Sequence, residues 1–182
     1  MLIRQPLDWG PVSDTDWLNR EEDRAWRAWL AMCERLRSQI GRDLQADSGL
    51  SDADYMVLVH LSEAEGRRVR MTDLAARLNW SKSRLSHQLG RMQTRGLVQR
   101  EDCPSDARGA YAVLAAGGLA EIERAAPAHV ESVRRHFIDV LDAAQLGQLA
   151  EIAERIVEHL GGEGTGPAIG EESAVEAALG RE

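Results

Sequence analysis

Between residues 19 and 44 the apolar side chains Trp26, Trp29, Leu30, Cys33, Leu36, Ile40 and Leu44 recur at three- and four-residue steps. That spacing places them on one face of a long helix, which Gly41 weakens slightly. Ser51, followed by Asp52 and Asp54, reads as an N-cap with acids in the first turn, where the helix dipole favours them. The helix it opens carries Tyr55, Val57, Leu58 and Leu61 and ends near Gly66. Arg68-Val69-Arg70 is a short β-prone piece. Thr72 is then the expected cap of a second short helix bearing Leu74, Ala75 and Leu78, with a tight turn at Asn79-Trp80. Ser81 caps a third helix running to about Arg95, with Leu85, Leu89 and Met92 inward, and Gly96 stands where a helix C-terminus favours a left-handed residue.

After Gly96 the period changes. Residues 97–100 and 110–114 are strand-like, and the turn-rich stretch from Asp102 to Gly109 joins them into a hairpin with a long tip. Helical periodicity returns from about Gly118 to Val140, with Pro127 expected to kink or interrupt it. A last helix, from about Asp142 to Leu160, carries Leu146, Leu149, Ile152, Ile156 and Leu160. Residues 1–18 mix Pro6, Gly10 and Pro11 with Trp9 and Trp17 and read as an irregular arm. Residues 161–182, rich in glycine and acid, read as a flexible tail.

The composition supports a packed core, with 43% hydrophobic residues in 182, although aromatics are scarce. The chain has neither a membrane-length apolar run nor a secretory N-terminus, so a cytoplasmic protein is expected. Cys33 and Cys103 form neither a disulfide framework nor a zinc pattern; Cys33 reads as a small buried residue and Cys103 as an exposed thiol. The net charge of −8 at first argues against a nucleic-acid partner. It is, however, segregated. From Gly66 to Arg108 ten basic residues face four acids, a local excess of six that leaves −14 on the rest of the chain. Phosphate responds to such a local field and not to the average.

The order helix, tight turn, helix, β-hairpin, with basic side chains on its second half, is that of a winged helix-turn-helix. The second helix of such a unit enters the major groove with its first turns facing base edges. Setting aside the apolar positions, that helix presents Lys82, Ser83, Arg84, Ser86, His87, Gln88 and Arg91, side chains of the kinds that read bases or hold phosphates. Ser81 and the free amides of the first turn can also receive a phosphate. From Asn79 to Gly96 there are four cations and no acid, unlike an ordinary solvated face, which alternates signs.

Residues 20–160 resemble the MarR family of winged-helix transcriptional regulators. The resemblance rests on Met71 to Leu78, Ser81 to Leu97, and the hairpin sequence Cys103-Pro104-Ser105-Asp106-Ala107-Arg108-Gly109. It implies that Arg108 enters the minor groove while Asp106 holds it in pose, which suits the negative potential of a narrow groove. Ala107 stands where the family frequently has a further arginine, implying one fewer phosphate contact. Ala115 replaces a threonine common after the last strand, so that cap is absent. The fold expected is mainly α with a small β-hairpin wing, divided into an arm (1–18), a helical dimerisation region (19–50 and 115–160), a winged helix-turn-helix domain (51–114) and the tail (161–182). The apolar stripe of the last helix independently asks for a partner surface, which favours a homodimer.

The resemblance further implies a regulator, commonly a repressor, released from double-stranded DNA by a small aromatic or phenolic ligand. Trp26, Trp29, Met32, Tyr55 and His60 are the candidate lining of its pocket, with core packing the competing reading. His129, His136 and His159 form no tight cluster with carboxylates, so neither a metal nor another cofactor is expected. No phosphate loop, nucleophile elbow or metalloprotease motif is present, which argues against an enzyme. The alternatives are a thiol-based redox sensor and a winged-helix protein–protein adaptor that leaves DNA alone.

Overall fold

The computed structural model describes residues 16–103 and 106–160, giving only the backbone for 106–108. The chain divides into two compact units, 1–36 and 37–182. Among the described residues six α-helices, α1 (Arg20–Ser48), α2 (Asp52–Ser62), α3 (Met71–Arg77), α4 (Lys82–Thr94), α5 (Ala116–His136) and α6 (Ala143–His159), are interleaved with strands β1 (Arg68–Arg70), β2 (Val98–Cys103) and β3 (Asp106–Leu114). The strands form one antiparallel sheet in the order β1-β3-β2. This is the mainly helical architecture with a small β wing that the sequence implies. Among the described residues no helix is long and apolar enough to cross a membrane.

The caps at Ser51 and Ser81 form as expected. Ser51 and Asp54 make a reciprocal capping box at α2, and the Ser81 hydroxyl accepts the Arg84 amide at α4. Each satisfies amide donors that a helix start leaves unpaired. Thr72 does not cap α3. β1 runs directly into that helix, so Arg70 occupies the cap position and Thr72 lies in the first turn, bonded to Asp73. α1 continues four residues past Leu44, until Gly49 turns the backbone left-handed at φ +70. The hairpin strands run further than their apolar positions indicate, with a register shift between Asp102 and Cys103. α5 continues unbroken through Pro127, which sits at an exposed position. The helix stops at His136, and a 3-10 turn at Ile138–Val140 leads toward α6.

In the second unit, Leu58 and Leu61 of α2, Leu74 of α3, Leu85, Leu89 and Met92 of α4, and Val98 and Ala112 of the sheet meet in one buried cluster. α5 is seated on it through Gly118, where an added Cβ would come within 2.0 Å of the Leu97 carbonyl oxygen. The end of α1 is tied to α5 by polar contacts. Asp43 accepts from Ser132 Oγ at 2.7 Å and lies 2.9 Å from His136 Nε2. The Ser132 bond, followed by that of His136, lowers the Asp43 pKa against the opposing effect of burial. In the first unit, Trp26, Trp29 and Leu30 are exposed on α1. α6 exposes Ile152 (54%) and Ile156 (49%), and Leu160 (75%) follows at its C-cap. The greater part of the arm, and the whole tail, lie outside the described residues.

Candidate nucleic-acid interface

α3 and α4 are joined by a turn in which Asn79 adopts φ +50, a left-handed conformation that asparagine tolerates better than most residues. The Trp80 amide closes the turn on Ala75 O at 2.9 Å. α4 then exposes Lys82, Ser83, Arg84, His87 and Arg91, with Ser86 half-buried. Ser81 is also exposed; its oxygen accepts the Arg84 amide at 3.2 Å, leaving its O–H free to donate. The Arg84 guanidinium lies 4.2 Å from the centroid of the Trp80 ring, which holds a long side chain over a flat apolar surface. Beside the first turn of α4 is a cleft of about 340 Å³ between the start of α3 and the sheet. Arg70, Thr72, Lys82, Ser86 and Arg100 supply its polar lining, and none of its lining residues is acidic. Arg70, Thr72 and Arg100 all fall within the basic segment from Gly66 to Arg108 but off the α4 face expected from the sequence.

Gln88 departs from expectation. It was expected on the exposed face but is 3% exposed and donates Nε2 to Asp54 Oδ1 at 2.7 Å. The physical reason is periodicity: position 88 follows Leu85 by three and precedes Met92 by four, so it belongs to the buried stripe despite its polarity. Asp54, equally buried, also accepts Arg95 Nη1 at 2.8 Å and the Ser51 hydroxyl at 2.7 Å. Burial pushes the Asp54 pKa up, but the Ser51 hydroxyl, Arg95 and the Ser51 amide together outweigh it, and the net displacement is downward. Arg91 Nη2 in turn donates to Gln88 Oε1. Neither Asp54, Arg95 nor Trp80 was among the sequence candidates. An acid at position 54, in phase with the apolar Val57, Leu58 and Leu61 of α2, was the available signal.

The backbone of Asp106 and Arg108 belongs to β3; the side chains of both lie outside the described residues. The cysteines reverse their expected places. Cys33 is exposed on the α1 face that also exposes Trp26 and Trp29. Cys103, at the inward-turned end of β2, is buried and accepts Arg70 Nη2 at 3.2 Å.

Of the candidate effector residues, Tyr55 and His60 are buried in the second unit, whereas Trp26, Trp29 and half-buried Met32 belong to the first. Tyr55 packs on His129 with ring centroids 4.3 Å apart, and burial, with a smaller effect of Glu63, pushes its hydroxyl up to about 12. Burial lowers the pKa of both His60 and His129; Arg77 adds to the first, and Asp52 opposes the second. The His129 Nδ1 is buried without a hydrogen-bond partner among the described residues. Among the described residues no three His, Cys, Asp or Glu side chains group as metal ligands would.

A helix–turn–helix flanked by a three-stranded wing, with an acid-free cationic face on its second helix, defines a winged-helix protein of the DNA-binding class. Residues 48–109 match the MarR family profile. The crystal structure of AbsC, a MarR family transcriptional regulator from Streptomyces coelicolor, is 50% identical, with 82% of this chain and 100% of that one covered and a TM-score of 0.77. Sco3205, a MarR family regulator from the same organism solved in complex with DNA, is 41% identical over 79% of this chain and 94% of its own, with a TM-score of 0.76. The HTH-type transcriptional repressor YetL of Bacillus subtilis is 27% identical over 114 residues, 61% of this chain and 68% of its own. The chain belongs to the MarR family of transcriptional regulators.

Proposed function

We propose that this regulator binds double-stranded DNA sequence-specifically as a homodimer on a pseudo-palindromic operator, and that it represses transcription until a small aromatic or phenolic effector releases it. The observation that carries the reading is the face of α4, where Lys82, Arg84 and Arg91 stand exposed on a helix without a single acid. Cations there supply non-specific affinity through phosphate, and the hydrogen-bonding groups of Ser83, Arg84 and His87 supply base readout. Residues 51–114 are the reading head, with Asp106 and Arg108 at its wing. The relative solved on DNA and the repressor name of YetL support the same direction.

Residues 19–50 and 115–160 are assigned to dimerisation. Ile152 and Ile156 of α6 and Leu160 at its C-cap are exposed together, and covering the half to three-quarters of each that is still exposed contributes about 1–2 kcal/mol. A dimer also places two α4 helices on half-sites about one helical turn apart. The effector is assigned to the neighbourhood of Tyr55 and His60 on α2.

Fluorescence anisotropy with a random-sequence duplex across a salt series tests the reading, followed by selection of tight sites from a fragment pool. Binding that weakens steeply with salt, and selected sites with two-fold symmetry, are expected. A chain that leaves duplex DNA unbound at low salt is a protein–protein adaptor instead.

A further inference from the structure

We propose that Asp54, a buried carboxylate on α2, is a positioning residue for DNA binding that sets Arg91 of α4 through the amide of Gln88. The inference rests on the reading of α4 as the helix that meets DNA. Its basis is a matter of which groups accept and which donate. Asp54 takes four hydrogen bonds: Gln88 Nε2 at 2.7 Å on Oδ1, and Arg95 Nη1 at 2.8 Å, Ser51 Oγ at 2.7 Å and the Ser51 amide at 3.0 Å on Oδ2. An ionised carboxylate only accepts, so the Gln88 side chain must turn its NH₂ inward and its carbonyl outward. That outward oxygen is the one on which Arg91 donates. The charge buried on α2 thereby determines which end of an amide faces an exposed cation of α4.

The residue types fit this role closely. Asparagine at position 54 offers one acceptor oxygen where the carboxylate offers two, and its NH₂ opposes that of Gln88. Gln88 is then free to flip, and its flipped NH₂ faces the Arg91 guanidinium, donor against donor. Arg91 keeps its charge in that state but loses its anchor, and an unanchored arginine must be ordered afresh at every encounter with phosphate. Arg95 balances the carboxylate, which leaves the exposed cations of α4 unopposed by Asp54. Asp54 also joins α2 to the middle of α4 at Gln88 and to its C-cap residue Arg95, two points that fix the tilt of the helix as well as one side chain.

The test uses the full-length protein and a random-sequence duplex. Asp54→Asn is expected to lower affinity roughly tenfold and to flatten the plot of log affinity against log salt by up to about 2, one arginine contact per half-site, as Arg91→Ala does. In the Arg91→Ala background the same substitution is expected to cost little more, since both act on one contact. The double variant Asp54→Asn with Gln88→Glu restores the order of donors and acceptors: the asparagine NH₂ donates to the new carboxylate, whose other oxygen accepts Arg91. It is expected to recover most of the lost affinity and the salt slope. Gln88→Leu serves if Asp54→Asn fails to fold, because it fills the site with a similar volume and removes the amide. Wild-type slope in a folded Asp54→Asn or Gln88→Leu protein overturns the proposal, as does additivity with Arg91→Ala. Failure of the unmodified protein to bind the duplex at all would instead remove the reading of α4 on which the proposal stands.

Discussion

Replacing Trp80 by leucine is expected to weaken DNA binding although the ring lies in the turn before the reading helix and carries no charge. Arg84 lies 4.2 Å from the ring centroid and is otherwise exposed. At an exposed site such a contact is worth about 0.5–1 kcal/mol. In the proposed dimer two half-sites double this to about 1–2 kcal/mol, or about 5- to 30-fold in affinity. If Arg84 reads a base as proposed, Arg84→Ala removes that contact at about 1–3 kcal/mol of discrimination per half-site. The decisive measurement is the cycle of Trp80→Leu, Arg84→Ala and the double variant, by anisotropy on a selected site and a scrambled duplex at one salt concentration. If the ring acts by posing the arginine, the double variant binds no more weakly than Arg84→Ala. Trp80→Phe keeps an aromatic face and should fall between wild type and leucine. Additive losses would mean that the ring acts through packing alone, for Trp80 also borders the buried cluster. Equal losses on both duplexes for Arg84→Ala would reassign that arginine to phosphate.

Sedimentation at micromolar concentration should give twice the 20.1 kDa of one chain, and Ile152→Glu with Ile156→Glu should return it to the monomer. Gly118→Ala should destabilise by about 1–3 kcal/mol through overpacking, lowering Tm by several degrees; an unchanged Tm would mean that α5 is not seated on Leu97. His60 and His129 hold protons less readily when folded, so the unfolded chain takes up more protons as pH falls through the ordinary histidine value of 6.5. Stability is therefore full above that value and declines below it. His129→Phe should lessen the decline in Tm measured between about pH 8 and about pH 5. Asp43 and Asp54, both held below the ordinary carboxylate value of 3.8, add a further loss only at lower pH.

Much of the fold was legible because its signals are local. Ser51 and Ser81 cap helices through their own side chains, so a serine ahead of an apolar period suffices to locate α2 and α4. The ends of α1 and α5 were less so. α1 runs on to Ser48 because the residues after Leu44 are compatible with helix and only Gly49 turns the backbone. Pro127 costs α5 one amide donor, and at its exposed position the helix runs on through it. Thr72 failed as a cap because a tertiary pairing, β1 on β3, delivers the chain into α3 already extended.

The cationic face of the candidate site was legible in the charge, and the phase of one polar side chain on it was misread. Counting cations located the face of α4 because charge is additive along a segment and does not need a partner to be seen. Treating every polar side chain as outward-facing failed at Gln88, since a helix buries positions by phase and a buried amide needs only a partner to be tolerated. That partner, Asp54, lies 34 residues earlier on another helix. The cysteines make the same point from the opposite direction. Cys103, expected as an exposed thiol, turns inward at the end of β2, where Arg70 meets its sulfur. Cys33, placed inside by its apolar period, lies on an α1 face that the single chain leaves exposed. A helical stripe thus identifies a face to be covered; whether the cover comes from the same chain is decided by packing, and for α1 and α6 the solution mass of the protein is the measurement that decides it.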